Sequence, residues 1–259
     1  MTDASRLQAD LDAALDITAI ASVISLRHFD STLQIITKPD ASPVTIADHE
    51  TEQSIRAQLQ QRFPGDGIFG EEFGVEGLES DRIWVVDPID GTRSFITGIP
   101  LFGMLLTLVE KDVPQLGIVR LPALDQVYAG ARGLGATLNG RVISVSDMAR
   151  LDDAMLFINE GEKIYRDEPL VFDRLSRAGK LRRLSYDCQP HALVASGKVD
   201  AVVDYDLKPY DYLPLVPLIE AAGGVISDWS GAPLDFQSDG RIVTAATPAL
   251  HAQLLSLLN

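Results

Sequence analysis

The chain has 259 residues and a formal net charge of −15, with 37 acidic against 22 basic side chains. Its 46% of hydrophobic residues predict a globular protein with one large domain or two packed subdomains and exclude a disordered chain, while the acidic excess argues against a nucleic-acid partner. Because no basic and apolar leader opens the sequence and no apolar run reaches the ~18 residues of a membrane span, we expect a soluble cytoplasmic protein.

Two helices are predicted near the start of the chain. Apolar residues recur at helical spacing and predict the first helix over about residues 4–29, and a strand-like stretch, LQIITK, follows it. The segment SPVTIADHETEQSIRAQLQQRFPGDG then has the order of a loop, a cap, a helix and a stop. Thr45 and Asp48 suit the cap region, and Pro64 and Gly65 end the helix.

The rest of the chain divides into two patterns. Short strands with Gly or Pro at the turns predict an antiparallel meander over 104–145, and alternating strands and helices follow residue 150. We therefore predict an α+β subdomain over 1–145 and an α/β subdomain over 146–259, with a cleft between the halves. Clefts between subdomains are favoured ligand sites.

The stretch WVVDPIDGT predicts a strand that runs into a polar turn. Trp84, Val85 and Val86 form a buried strand, Asp87 lies at its end, and Pro88 prevents a regular continuation. Asp90 follows, and a helix that begins at Gly91-Thr92 would direct free backbone N–H groups towards whatever lies beside the two carboxylates.

Carboxylates gathered at such a strand end repel one another unless a proton or a cation lies between them. The preceding GEE, with Glu71 and Glu72, adds to this group, and oxygen ligands that include the Ile89 carbonyl suit Mg²⁺. Zinc is disfavoured, since no histidine is near and the single cysteine, Cys188, is distant and has the character of a buried core residue. The alternative is that Asp87 caps a turn, Asp90 caps the helix and GEE is a solvated loop; the order of all these residues favours a metal site.

Two further motifs affect the chemistry. The signature Asp-x-Asp-Gly-Thr of haloacid dehalogenase-like phosphatases does not fit, because Pro88 stands where its nucleophilic aspartate must be. Because an aspartyl-phosphate intermediate is thereby excluded, direct attack by a metal-bound water is the mechanism that remains. The segment LKPYD places Asp211 at a predicted helix N-terminus, where spacing alone favours a cap, and Pro214 and Pro217 predict an irregular first turn behind it.

Four segments in this order, SPVTIAD, GEEFG, WVVDPIDGTRSF and KPYDYLPLVPLIEAAGG, resemble the inositol monophosphatase-like, lithium-sensitive and Mg²⁺-dependent phosphatases. The resemblance extends from about Lys38 to Trp229. Within that family, DGTRSFITGIP and YDCQPHALVASGKVDAVVDYDLKPYD are most similar to histidinol-phosphate phosphatases. The resemblance implies the family's sandwich of alternating helix and sheet layers.

The resemblance also implies a set of two or three Mg²⁺ ions. Glu71, Asp87 and the Ile89 carbonyl would hold the first ion, and Asp87, Asp90 and Asp211 would hold the second. Glu71 would also orient a third, weaker ion.

The resemblance also assigns catalytic and phosphate-binding roles to other positions. Gly91 and Thr92 correspond to the phosphate-binding turn, and Thr92 paired with Asp48 corresponds to the dyad that activates the attacking water. Arg93 could contact the substrate phosphate or lock the loop through neighbouring carboxylates, and we favour the second role. Lys38 could reach the phosphate or be a surface lysine.

We therefore predict a Mg²⁺-dependent phosphomonoesterase that hydrolyses histidinol phosphate. This substrate carries an ammonium group and an imidazole, so its pocket needs carboxylates away from the metals, and Asp187 and Asp204 are the candidates. Alternatively, Asp187 only caps the helix that leads to His191.

Other functions stay open at this stage. Inositol monophosphate is the second substrate candidate, with nucleotide 3′-phosphates and fructose bisphosphate behind it. A regulatory protein that only binds metal or phosphate is the non-enzymatic alternative. Similar proteins are homodimers, so we expect a dimer in which apolar strand surface of the 104–145 meander is covered by the partner.

Overall fold

A computed structural model describes residues 3–29, 36–37, 43–77 and 79–259. In these ranges the helices are α1 (Asp3–His28), α2 (Ile46–Arg62), α3 (Thr92–Ile96), α4 (Gly161–Asp167), α5 (Pro169–Arg177), α6 (Gln189–Ala195), α7 (Pro209–Tyr212), α8 (Leu215–Ala221) and α9 (Pro248–Leu258). The strands there are β1 (Ile36–Thr37), β2 (Pro43–Val44), β3 (Gly67–Gly70), β4 (Gly74–Glu76), β5 (Arg82–Asp90), β6 (Gly103–Glu110), β7 (Val113–Leu121), β8 (Gln126–Ala131), β9 (Gly135–Leu138), β10 (Arg141–Ile143), β11 (Met155–Asn159), β12 (Leu181–Ser185), β13 (Ala201–Asp204), β14 (Val225–Asp228) and β15 (Ile242–Ala245).

The strands form two large sheets. The first has the order β10-β9-β8-β7-β6-β5-β3-β4 and is antiparallel except for the β3–β5 pair, so the predicted meander is confirmed. The second has the order β12-β11-β13-β15-β14, with parallel pairing on both sides of β11 and antiparallel pairing on both sides of β15. The short strands β1 and β2 pair with each other.

Helices and sheets alternate in layers, as predicted. Helices α1 and α2 cover one face of the first sheet, where Ile17, Leu59 and Trp84 share a buried cluster. Helices α6 and α8 lie between the two sheets, and α5 and α9 cover the outer face of the second sheet. Every strand of the first sheet precedes residue 145 and every strand of the second follows it, while one core cluster continues across that point. The division into 1–145 and 146–259 stays a proposal.

Two local predictions need correction, and a third is confirmed. Strand β5 does not end at Asp87: it continues to Asp90, because a register shift between these two residues accommodates Pro88 without a ladder N–H. Helix α4, which begins at Gly161, was not predicted, since its seven residues are too short to present a clear periodicity. The helix predicted after Asp211 is divided into α7 and α8 at Pro214, which confirms the irregularity expected there.

The proposed dimer surface is also affected by the packing. Apolar side chains of β6, β7 and β8 are buried under this chain's own helices, so the large exposed hydrophobic residues of the described meander are Val113 and Val142. The homodimer therefore stays a prediction, but the described strands of the meander do not offer the apolar surface that we expected a partner to cover.

Among the described residues, no helix combines the length and the apolar character that crossing a bilayer requires.

Candidate active site

Three aspartates lie close together at the junction between the end of β5 and the start of α3. Carboxylate oxygens of Asp87, Asp90 and Asp211 all lie within 4.8 Å of one another, although Asp211 comes from α7. Asp87 is buried and accepts a hydrogen bond from the Ile89 N–H at 3.0 Å. Asp90 accepts one from the backbone N–H of Cys188 at 2.5 Å. The β5 bulge and two distant segments thus bring these carboxylates together.

The carboxylates of this cluster raise one another's pKa values. Burial, then the neighbouring Glu71, Asp90 and Asp211, hold the pKa of Asp87 well above its ordinary value. Burial also raises the pKa of Asp211 to about 7, and burial with the charges of Asp187 and Asp211 raises that of Asp90. A set of oxygen donors that is destabilised when ionised fits a hard divalent cation, and the donor type fits Mg²⁺.

Glu71 follows β3 and lies beside this cluster. Its backbone N–H donates to the Val86 carbonyl at 3.1 Å, and its carboxyl group is close enough to raise the pKa of Asp87. The Ile89 side chain is buried, and its carbonyl accepts from the Thr92 hydroxyl at 3.3 Å. Glu71 and the Ile89 carbonyl therefore lie where a second group of oxygen ligands could complete a metal site.

The predicted Thr92–Asp48 pair is present. Thr92 Oγ1 donates to Asp48 Oδ1 at 3.3 Å, and Asp48 is fully buried. The other oxygen, Asp48 Oδ2, accepts from the Thr45 N–H at 2.8 Å and from the Thr45 hydroxyl at 2.7 Å, as a capping box at the start of α2. Its anchoring at the helix N-terminus leaves Asp48 Oδ1 directed to Thr92.

A cavity of about 200 Å³ opens over these groups. Carboxylates dominate its lining, and the basic side chains there are Arg93, Lys163 and His191. The acidic residues in its lining are Glu71, Asp90, Glu160, Asp187, Asp204, Asp206 and Asp211. A phosphate dianion can enter such a cavity only with cations to separate it from the carboxylates.

Asp187 lies directly against the phosphate-binding turn that we predicted. A Cβ on Gly91, whose φ is 81°, would lie 2.5 Å from Asp187 Cγ. The Asp187 carboxylate accepts from the Ser94 hydroxyl at 2.5 Å, and its backbone has a left-handed φ of 63°. Burial raises the pKa of Asp187 to about 6. The N-cap of α6 is Cys188 and no described side chain caps this helix, so Asp187 is not the cap that we considered as an alternative.

Asp204 is buried in a hydrogen-bonded network at the cavity wall. Its Oδ2 lies 3.0 Å from His191 Nε2 and accepts from Asn159 Nδ2 at 2.8 Å, while the Tyr205 N–H donates to Oδ1 at 2.8 Å. The same Asn159 amide donates to the Asp187 carbonyl at 3.0 Å. One asparagine therefore connects the two residues predicted to recognise the substrate.

The remaining predicted residues have mixed surroundings. Arg93 Nη1 lies 3.6 Å from Glu162 Oε1 in an exposed pair, and the role of Arg93 stays a prediction. Burial raises the pKa of the Cys188 thiol well above its ordinary value, which agrees with the expected core residue. Cys188 and His191 nevertheless line the same cavity as Asp90, so the expectation that no cysteine or histidine lies near the carboxylates was wrong: the fold brings distant segments of the chain to the site. Lys38 lies outside the described residues.

Sequence reasoning missed the far wall of the cavity. Lys163 Nζ lies 2.9 Å from Glu160 Oε2 and 3.1 Å from Asp206 Oδ2, which places an internal ion-pair network beside the site. The only local signal was the i, i+3 spacing of Glu160 and Lys163. Asn159 had no such signal, since it pairs with Asp204 and with the Asp187 carbonyl, which are distant in the sequence. The Lys163–Asp206 pair likewise joins residues that are far apart in the chain.

Comparisons with known proteins identify the family of this chain. The model of the inositol monophosphatase family matches residues 6–259. A histidinol-phosphatase of Chlorobaculum parvum is 36% identical, with 96% of each chain covered, and one of Mycobacterium tuberculosis is 34% identical, with 96% of this chain and 98% of the relative covered. The solved structure of an inositol monophosphatase from Zymomonas mobilis is 37% identical, with a TM-score of 0.88 over 97% of this chain and 98% of its own. The chain therefore belongs to the inositol monophosphatase family and is a phosphatase, a phosphoric monoester hydrolase.

Proposed function

We propose that this phosphatase hydrolyses histidinol phosphate to histidinol and phosphate. The observation that carries the proposal is the position of Asp187, a half-buried carboxylate in contact with Gly91 but outside the Asp87–Asp90–Asp211 cluster. A neutral polyol gains little from this charge, whereas the ammonium group of histidinol would neutralise it. The two histidinol-phosphatases that the chain resembles over nearly its full length support the same substrate.

The proposed site holds two or three Mg²⁺ ions. Glu71, Asp87 and the Ile89 carbonyl are the proposed ligands of the first, and Asp87, Asp90 and Asp211 those of the second, with Glu71 orienting a weaker third. When bound, Mg²⁺ would neutralise the carboxylates, draw in the phosphate and lower the pKa of water.

The protein's own residues position the proton and the phosphate. The Thr92 hydroxyl, already hydrogen bonded to buried Asp48, is the proposed relay that removes a proton from the attacking water and passes it to the carboxylate. The backbone N–H groups of Gly91 and Thr92 are proposed to hold the phosphate, and the left-handed φ of Gly91 sets their direction.

Asp187 and Asp204 are proposed to select the cationic part of the substrate. A hydrogen bond to a charged group contributes about 1.5–3 kcal/mol, which corresponds to roughly tenfold to hundredfold in specificity. Asp187 would contact the ammonium group directly. Asp204, held by His191 and Asn159, would add negative potential from the cavity wall.

Inositol monophosphate is the second candidate. The similarity to the Zymomonas mobilis inositol monophosphatase supports it, as does the fact that the metal and Thr92–Asp48 groups do not depend on the alcohol. We further propose a homodimer, on the strength of the family resemblance, and a cytoplasmic location, which the single cysteine of the sequence favours.

Phosphate release from a substrate panel separates these candidates. Wild-type protein with Mg²⁺ should prefer histidinol phosphate to inositol monophosphate and to a neutral phosphate ester. Asp187→Asn should lower kcat/KM for histidinol phosphate about tenfold to hundredfold and hardly change the neutral ester. Asp173→Asn removes an exposed carboxylate of α5 that pairs with Arg177, and it is the matched control. This variant should leave kcat/KM unchanged for both substrates. Wild-type preference for inositol monophosphate, or an equal loss on both esters in Asp187→Asn, would refute the histidinol assignment.

A further inference from the structure

Glu52 is a buried acid for which the proposed reaction has no role. It lies on α2, one turn after Asp48 and on the same inner face, and it is fully inaccessible to solvent. A buried carboxylate is costly unless hydrogen bonds compensate for the lost water. Its partners therefore indicate what the residue does.

Those partners belong to the turn that carries Glu71. Glu52 Oε2 accepts from the Glu72 N–H at 2.7 Å, and Oε1 accepts from the Phe73 N–H at 3.3 Å. On the other side of the turn, the Glu71 N–H donates to the Val86 carbonyl. Gly70 must be glycine here, because a Cβ would overlap Glu52 Oε1. The turn is thus fixed by β5 on one side and by α2 on the other.

Arg56 completes the arrangement one turn further along α2. Its Nε donates to Glu52 Oε1 at 2.8 Å, and its Nη2 donates to the Gly74 carbonyl at the end of the same turn. The guanidinium also lies over the Phe73 ring, 5.9 Å from its centroid. Arg56 therefore balances the charge of Glu52 and holds the far end of the turn.

We infer that Glu52, supported by Arg56, is a positioning residue that holds the Glu71 turn against the metal site. The carboxylates of Glu71 and Asp87 repel each other in the absence of a cation, so an untethered turn would move Glu71 away. The hydrogen bonds from the turn to Glu52 prevent this movement. The cation then loses less binding free energy to ordering the turn. The inference rests on the proposed function, in which Glu71 is a Mg²⁺ ligand, and it predicts that Glu52 sets the metal affinity and contributes little to turnover at saturating metal.

The test compares Glu52→Gln with wild type. An amide in place of the carboxylate turns an N–H donor towards the turn and loses one accepting oxygen, so the turn should loosen. We expect the Mg²⁺ concentration that gives half-maximal activity to rise by about tenfold to hundredfold, with kcat at saturating Mg²⁺ within about threefold of wild type. In chelator, amide hydrogen exchange of residues 71–74 should be at least about tenfold faster. Glu50→Gln, which removes a half-exposed carboxylate of the same helix that pairs with His28, should match wild type in all three measurements.

If Glu52→Gln does not fold, Arg56→Lys provides the same test, because it keeps the charge but not the forked donors, and should shift both readouts in the same direction by less. An unchanged Mg²⁺ midpoint or unchanged exchange in the folded variant would refute the inference. Wild-type activity that survives chelation would refute the proposed function instead, and the exchange of metal-free protein would still decide whether Glu52 holds the turn.

Discussion

Gly91 is the position where the geometry permits the sharpest quantitative test. It has φ 81° and ψ 44°, and alanine in the left-handed region costs about 1–2 kcal/mol. A Cβ at this position would also lie 2.5 Å from Asp187 Cγ and Oδ1. Asp187 cannot simply rotate away, since Ser94 holds its carboxylate and Asn159 holds its carbonyl. Overpacking of this kind costs about 1–3 kcal/mol more.

Gly91→Ala should therefore lose about 2–5 kcal/mol of stability. Gly133→Ala is the matched control, because Gly133 has a similar φ of 76° but nothing within 4 Å of the added Cβ. It should lose only the conformational cost of about 1–2 kcal/mol, or roughly 2–8 °C in Tm. The control should keep wild-type kcat/KM, whereas Gly91→Ala should lose about a hundredfold, as displacement of positioning groups typically causes.

The double variant Gly91→Ala/Asp187→Gly isolates the clash. Removal of the Asp187 side chain, at a position whose φ of 63° suits glycine, should return stability to the level of Gly133→Ala. Thermal unfolding in chelator and phosphate release with saturating Mg²⁺ measure the two effects separately. If Gly91→Ala is no less stable than Gly133→Ala and equally active, Asp187 does not press on this turn and the reasoning is wrong.

Three further predictions concern the carboxylate cluster and assembly. Burial raises the pKa of Asp211 to about 7, so in chelator the folded protein keeps a proton that the unfolded chain releases near pH 4. The stability of the metal-free protein should therefore fall as the pH rises from about 4 to 7. Asp211→Asn, or added Mg²⁺, should make the melting temperature less dependent on pH. Asp90→Asn should abolish activity yet raise the melting temperature of metal-free protein at pH 8, because it removes a partly buried charge while its oxygen can still accept from Cys188. Full activity in this variant, or a lower melting temperature, would contradict the assignment. Light scattering at micromolar concentration should give the mass of a dimer. A monomeric mass would refute the homodimer proposal and leave the proposed reaction unaffected.

Much of the site could be predicted from local sequence, because its chemistry is concentrated at one strand-to-helix junction. The order Asp87, Pro88, Asp90, Gly91 and Thr92 specifies a strand end, two carboxylates and a helix start within a few residues. The capping box at Asp48 is equally local, since it depends on residues three apart. Amphipathic periodicity and turn residues were likewise sufficient for the antiparallel meander and for the alternating strands and helices that follow it, whereas the layered sandwich was implied by the family resemblance.

Only the tertiary structure decided which distant groups meet. The contact of Asp187 with Gly91, the network of Asp204 with His191 and Asn159, and the hydrogen bonds from the Glu71 turn to Glu52 all join segments that no sequence period relates. The continuation of β5 past Pro88 also depended on pairing with β6, since a bulge is stabilised by the neighbouring strand and not by the residues within it. Local propensity determines where an element begins and ends, but the burial that raises carboxylate pKa values and the partners that compensate for it exist only when the sheets and helices have packed together.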